Sequence, residues 1–373
     1  MNSYQNIPFI LFLLIFSTSK GQTDPFFNTD RLILGTQKSR TASMDIGDID
    51  GDGDPDIVVA NGRHWPGQNR IFINNGRGVF TLSRALGNEE ETSYSTEFAD
   101  FDNDGDLDIA VGNDMAPNLI FLNDGTGNYI KGGSFGKDYA PTRNIVVSDI
   151  DLDGDVDILI TNRGKENEIC LNDGNGQMSK SIGFGSKKDA TIDVEVEDMN
   201  GDGFLDLILA NRDQQQNYVY LHDGNFNFSK KIPFGTGKDN TRSVAIADID
   251  KDGHKDIITA NIGEENVIYF GNIERSYTKK VVFDPESSPS YSIALGDLDQ
   301  DGDIDIIVGN SKAINAVFIN QNKGQDWQKI PLKNKEFLTY DIGVSDLNGD
   351  GKLDIIESNS DEHNLYYFNR LED

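Results

Sequence analysis

The chain has 373 residues, with 33 Lys and Arg against 63 Asp and Glu, a formal charge of −30 and 38 glycines. That balance repels nucleic acid and anionic membranes, which excludes both as partners; the glycine count favours many turns over long helices. The single cysteine, Cys170, stands between Ile169 and Leu171, so there is no internal disulfide and the thiol reads as a small residue packed in a strand.

In chain order the first element is Ile7–Phe16, almost wholly apolar and followed by the small polar stretch Ser17–Gln22. Such a run is too short to span a bilayer and fits the apolar core of an export signal. Residues 1–22 are expected to be a signal peptide, and 23–373 a single secreted or periplasmic domain without membrane insertion.

A strand at Phe27–Leu34 comes next, and then a repeat takes over. The pattern D-x-[DN]-x-D-G-x-x-D starts at Asp48, Asp100, Asp149, Asp198, Asp248, Asp297 and Asp346, at steps of 52, 49, 49, 50, 49 and 49 residues. Five residues after each motif stands Asn61, Asn113, Asn162, Asn211, Asn261, Asn310 or Asn359. A second asparagine (Asn69, Asn118, Asn167, Asn217, Asn266, Asn315, Asn364) then opens a short apolar run. Before each motif apolar residues alternate with polar ones, as in Ile145 and Val147, which is the period of a strand. Turns such as Asn123-Asp124-Gly125 lead into a further strand. Each repeat therefore holds four short antiparallel strands, A to D, and units of this size with four strands are propeller blades. The expectation is an all-β, seven-bladed β-propeller. The orphan N-terminal strand supplies the D strand that the last repeat lacks after Leu365–Phe368, which removes an open edge.

These repeats, with the Phe-Gly pairs Phe135-Gly136, Phe184-Gly185 and Phe234-Gly235, resemble the VCBS/FG-GAP repeat family, whose best-known relatives form the head of integrin α-subunits. The resemblance spans about residues 26 to 373. It implies the propeller and calcium, but no one activity, because the family includes adhesion modules, lectins and propellers of carbohydrate-active lyases and dehydratases.

Carboxylates packed this densely repel one another unless a cation lies among them, and Ca²⁺ accepts six to eight oxygens from alternate positions of a tight loop. The expected ligands, in as many as seven structural sites, are Asp48, Asp50, Asp52 and Asp56; Asp100, Asp102, Asp104 and Asp108; Asp149, Asp151, Asp153 and Asp157; Asp198, Asn200, Asp202 and Asp206; Asp248, Asp250, Asp252 and Asp256; Asp297, Asp299, Asp301 and Asp305; and Asp346, Asn348, Asp350 and Asp354. Asn200 and Asn348 each remove a charge, and Phe204, His254 and Lys352 replace an acid. The loops of repeats 4, 5 and 7 are therefore expected to be weakest.

Departures from the repeat mark the opposite face. The B–C hairpin of the first repeat is the longest and carries Arg63-His64-Trp65-Pro66-Gly67-Gln68, with one of four histidines and one of two tryptophans. An indole there suits stacking on a pyranose. Six residues before each motif stand Ala42, Tyr94, Arg143, Ile192, Arg242, Tyr291 and Tyr340, and neighbouring hairpins add Arg163, Lys165, Arg212 and His363. On so acidic a chain this cluster suits an anionic oligo- or polysaccharide. Arg63, Trp65, Arg143, Arg163, Arg212, Arg242 and Tyr291 are the expected binding residues; His64, Tyr94, Tyr340 and His363 are the expected acid–base groups, with His64 and His363 close to one another. Deeper on the A strands, Asp45, Glu97, Asp193, Glu195 and Asp341 line the channel as wetted acids or hold a further cation. The reading is a monomeric elimination enzyme, a lyase or dehydratase on uronate-containing saccharide. The alternative is a noncatalytic lectin or adhesion module.

Overall fold

The computed structural model describes residues 24–333 and 335–371, so the expected signal segment 1–22 lies outside them. Among the described residues every element is a strand. Four units form separate four-stranded antiparallel sheets. In one of them Ser93–Ala99, Asp108–Asn113, Asn118–Asn123 and Tyr129–Phe135 pair in sequence order. The second strand of each unit, Asp108–Asn113 here, is buried along its whole length, whereas the fourth is mostly exposed. The exposure gradient runs outward from the axis, and the molecule is an all-β propeller with four-stranded antiparallel blades.

The remaining strands join in one eleven-stranded sheet. Within it Ser290–Gly296 pairs with the long strand Asp305–Ala313, and Phe337–Ser345 pairs with Asp354–Asn369. Ile33–Gly47 is one strand whose start pairs with Leu365 and Asn364 and whose end pairs with Asp56–Asn61. Phe26 and Phe27 pair with Asn369 and Phe368, so both ends of the chain share one sheet. The first strands of successive units neighbour each other, and Phe337–Ser345 lies against both Ser290–Gly296 and Ile33–Gly47.

The core lies between sheets. Ile150, Leu159 and Phe184 of one blade pack on Val194, Leu207 and Leu209 of the next. Cys170 is buried and free in its strand, and burial pushes its thiol up to about 12. The two in-phase asparagines rivet the blades. The backbone N–H of the first donates to the side-chain oxygen of the second in every repeat, from Asn61 to Asn69 at 2.8 Å through Asn359 to Asn364 at 2.8 Å. In six repeats the second asparagine then donates to a Ser or Thr of the following repeat, as Asn69 does to Ser93 at 2.8 Å, whereas Asn118 donates to Phe135 O at 3.4 Å. Asn364 donates to Thr41 at 3.1 Å and ties the last repeat to the first.

Candidate functional site

The acidic motifs form A–B loops on one face. The first Asp folds its own loop: Asp48 accepts the N–H of Gly51, Asp52 and Gly53. Gly53, at φ 90°, meets a conformation that side chains rarely adopt. The ninth-position Asp is a buried pin in every loop. Asp56 accepts the N–H of Ile49 and Asn74, and burial raises it to about 6 despite those bonds.

Positions one, three and nine converge in five loops: Asp48, Asp50 and Asp56; Asp100, Asp102 and Asp108; Asp149, Asp151 and Asp157; Asp248, Asp250 and Asp256; and Asp297, Asp299 and Asp305 each place oxygens within 4.8 Å of one another. Burial, and to a lesser degree the neighbouring charges of Asp52 and Asp48, pushes the Asp50 carboxyl up. Among the described residues the oxygens Asp50 Oδ1, Asp102 Oδ1, Asp250 Oδ1, Asp297 Oδ1 and Asn200 Oδ1 are buried without a hydrogen bond, so these loops offer what a hard cation takes. The fifth-position residues Asp52, Asp104, Asp153, Asp202, Asp252, Asp301 and Asp350 stand outside the convergent sets; Asp52 accepts the N–H of Asp54. Repeat 5, expected to be weak, has the convergent geometry, whereas repeats 4 and 7 carry Asn200 and Asn348, whose amides donate to Asp206 at 3.1 Å and Asp354 at 3.2 Å.

On the other face, the first strands surround a cavity of about 250 Å³ whose wall includes Tyr94, Arg143, Arg242, Tyr291 and Tyr340. The long hairpin of the first repeat is sewn down beside it. Gly67 and Glu91 exchange backbone hydrogen bonds, and the Arg63 N–H donates to Ser93 O at 3.0 Å. Gly62, at φ 115°, makes this possible: a Cβ there would lie 2.3 Å from Glu91 O. The hairpin delivers His64 onto two partners. Asp114 Oδ2 lies 2.7 Å from His64 Nδ1, and the Tyr94 hydroxyl lies 2.8 Å from Nε2. A carboxylate only accepts, so Nδ1 carries the proton and Nε2 accepts from the phenol.

Arg143 donates to Asp114 Oδ1 at 2.6 Å and its guanidinium lies 4.4 Å from the centre of the Tyr94 ring. Burial raises the Tyr94 hydroxyl above its usual value, and Arg143 opposes that rise. The His64 side chain is 58% exposed, so the relay is open to a ligand at its imidazole. Asp114 was not among the expected residues. It follows Asn113, and the equivalent places hold Gly62, Arg163, Arg212, Ile262, Ser311 and Ser360, a second ring one residue past the repeated asparagine.

The other expected residues divide. Arg63 packs its guanidinium 4.2 Å from the Tyr340 ring centre, Tyr340 meets Tyr291 edge to face, and Arg242 lies 5.6 Å from the Tyr291 ring centre. Trp65 is 64% exposed beside Arg40. Arg163 and Arg212 do not reach the cavity; both turn to Asp213, at 2.8 and 3.2 Å, because the extra residue of that hairpin puts a carboxylate between them. His363 does not pair with His64. Its Nδ1 is buried without a partner and its backbone oxygen accepts from Asn359.

Below the mouth the residues five before each motif form a belt. Ser95 donates to Asn144 at 2.9 Å, Asn144 to Asp193 at 2.5 Å, and Ser292 to Asp341 at 2.7 Å; Asp341 also accepts the Met44 N–H at 3.0 Å. Asp193 and Asp341, which line the channel cavity as expected, also hold neighbouring strands together. Burial raises Asp45 to about 6, and burial with Asp193 and Glu197 raises Glu195 to about 8. Glu97 is driven well above its usual value by burial and by Asp45, Asp341 and Glu195.

A sequence profile of the FG-GAP-like repeat matches residues 48–111, 100–160, 149–209, 198–259 and 297–357, together more than half of the chain. No curated protein matches it. Two crystal structures of BBS1N in complex with ARL6DN, one soaked with lead and one with mercury, superpose with a TM-score of 0.62 over 93% of this chain and 97% of theirs, at 12% and 11% identity. The crystal structure of Chaetomium thermophilum Raptor superposes with a TM-score of 0.58 over 92% of this chain and 29% of that one, at 14% identity. At such identities the likeness is one of fold alone.

Proposed function

This chain belongs to the FG-GAP-like repeat family of β-propellers, and from that premise we propose a secreted, calcium-loaded, seven-bladed propeller that acts on carbohydrate at the mouth of its channel. The blade count draws support from the circuit of first strands, and closure of the last blade by the N-terminal strand draws support from the pairing of Phe26 with Asn369 and of Ile33 with Leu365. Calcium draws support from the orphaned loop oxygens; Asp48, Asp50 and Asp56 and their equivalents would hold it, and the ion would supply cross-linking in a chain without disulfides.

The observation that carries the functional reading is the Tyr94–His64–Asp114 relay. In an elimination, His64 Nε2 takes the proton α to a uronate carboxylate, and the C–H electron pair becomes the new double bond as the C–O bond breaks. Tyr94 gives its phenolic proton to the departing oxygen. The imidazolium, steadied by Asp114, then returns a proton to the phenolate across 2.8 Å and restores the starting state. Arg242, which has no ion pair among the described residues, faces the substrate carboxylate.

A second reading, a noncatalytic lectin or protein-binding module, is favoured by one feature: Arg143 and Arg63 already face Asp114 at 2.6 Å and Asp361 at 4.0 Å, which reduces the positive charge left for an enolate. The BBS1N structure is likewise a complex with a protein. Incubation with uronate oligosaccharides, followed at the ultraviolet band of the unsaturated product, separates the two. His64→Ala should cost at least about 100-fold in rate and leave melting unchanged. Binding without any unsaturated product would sink the elimination reading.

A further inference from the structure

A second cleft opens on the face of the B–C hairpins, and its lining includes none of His64, Tyr94 and Asp114. It has a volume of about 460 Å³, within the range of ligand sites. One wall is the turn Lys137–Ala140, and the others carry Lys165, Glu166, Glu168 and Lys187. The turn is anchored on both sides: Met115 N–H donates to Ala140 O at 2.9 Å, and Arg163 N–H donates to Pro141 O at 3.2 Å. That anchoring holds Tyr139 at φ 58°, a conformation unusual for a tyrosine, with its side chain in solvent and the residue 66% exposed.

Opposite it, Glu168 is 1% exposed. Its Oε2 accepts from Ser181 at 2.8 Å, but Oε1 is buried without a hydrogen bond. The lysines do not satisfy it. Lys137 Nζ stands 3.6 Å from Glu168 Oε1 and 3.7 Å from Glu166, and Lys187 stands 3.9 Å from Glu166, all beyond hydrogen-bond length. With Asp138 the cleft holds three acids and three lysines, so it has no net preference for an ionic ligand. A ligand that meets both an ammonium and a carboxylate from the open side of the cleft must both accept and donate. Vicinal hydroxyls do so, and an exposed aromatic ring supplies a stacking face.

We propose that this cleft binds a neutral pyranose unit, with Tyr139 stacked on the ring, Glu168 Oε1 accepting from one hydroxyl and Lys137 donating to its neighbour. The inference shares with the reading of the channel mouth only the class of ligand, and it names a site outside the relay.

Titration calorimetry of the full protein with cellohexaose, mannohexaose and xylohexaose tests it. At least one should bind, with an affinity unchanged in 0.5 M NaCl and in His64→Ala. Tyr139→Ala and Glu168→Gln should each weaken it about tenfold, through lost stacking and a lost charge-assisted bond. Tyr139→Ala removes an exposed side chain, so it keeps the test decisive even if Glu168→Gln folds poorly. Failure of all three sugars to bind the wild type overturns the proposal. So does binding that survives both cleft variants but is lost in His64→Ala. Absence of an unsaturated product from uronate oligosaccharides overturns only the elimination chemistry and leaves the cleft standing.

Discussion

The two faces of the propeller use the repeat in opposite ways. On the acidic face seven loops share one backbone plan, and the ninth-position Asp accepts two backbone N–H groups in each, from Asp56 through Asp354. On the hairpin face the rivets are repeated but the side chains beyond them are not. The position after the first asparagine is Gly62 in one repeat, Asp114 in the next and Arg163 in the third. Repetition builds the frame, and departure from it brings His64, Tyr94 and Asp114 together at one place on the rim. A loss spread over every blade should therefore damage stability, whereas a loss at one hairpin should damage function alone.

The largest expected effect tests the acidic face. Excess chelator should lower the melting temperature by at least about 10 °C, because a ligand bound only by the folded state adds about 2.7 kcal/mol per site at a hundred times its Kd, and several loops contribute. An unchanged melting curve would show that the loops stand on their backbone hydrogen bonds.

The rivets come next. Asn364→Ala removes the bond to Thr41 and the acceptor for the Asn359 N–H, both buried, at the junction of the last and first repeats. A loss of about 1–3 kcal/mol is expected, read as a drop of several degrees in melting temperature. A variant as stable as the wild type would mean that strand pairing at Leu365 and Asn364 is sufficient to join the ends.

The period of the motif and the alternation before it made the four-stranded unit legible, because both are local and each was present seven times. The two asparagines were visible as a pattern, but their partners were not. Where a Ser or Thr receives the amide, it belongs to the next repeat, as Ser93 does for Asn69. The relay was half legible for the same reason. His64 and Tyr94 stood out as departures, while Asp114 sits in a neighbouring hairpin, and only three-dimensional packing brings it to 2.7 Å from the imidazole. Arg163, Arg212 and His363 were misplaced because the direction of a hairpin side chain follows the turn: Asp213, at φ 61°, sits in the extra residue of its hairpin and draws both arginines to itself.

The channel beneath the mouth gives a pH-dependent effect of middling size. Glu195 has a folded-state value of about 8, raised by burial, Asp193 and Glu197. A carboxyl raised on folding favours the folded state at low pH, and that contribution is lost as pH climbs from the ordinary glutamate range through about 8. Glu195→Gln should therefore match the wild type near pH 4 and exceed it by at least several degrees near pH 9, since a rise from 4.5 to about 8 is worth several kcal/mol at about 1.4 kcal/mol per unit, and each kcal/mol moves melting by about 2–4 °C. A variant less stable than the wild type at pH 9 would mean that the carboxylate is compensated there, as it would be by a cation in the channel.

The smallest effect separates the loops from one another. In repeat 4 the Asn200 amide donates to Asp206 at 3.1 Å while its Oδ1 is left buried and unpartnered. The amide supplies a donor, as Asn348 does in repeat 7, where the five remaining loops set a carboxylate against a carboxylate, so this loop needs a cation less than the Asp50 loop does. Asn200→Asp removes the donor and adds a charge beside Asp198 and Asp206. In chelator it should melt about 1–2 °C below the wild type, since a like charge enters a partly buried cluster without a partner. In millimolar calcium it should equal or slightly exceed the wild type, because affinity in such loops rises with the number of charged ligands. The sign of the difference should thus reverse with calcium. If the variant differs from the wild type by the same amount in both conditions, the third position does not face the cation, and Asn200 is a hydrogen-bonding residue of the loop and nothing more.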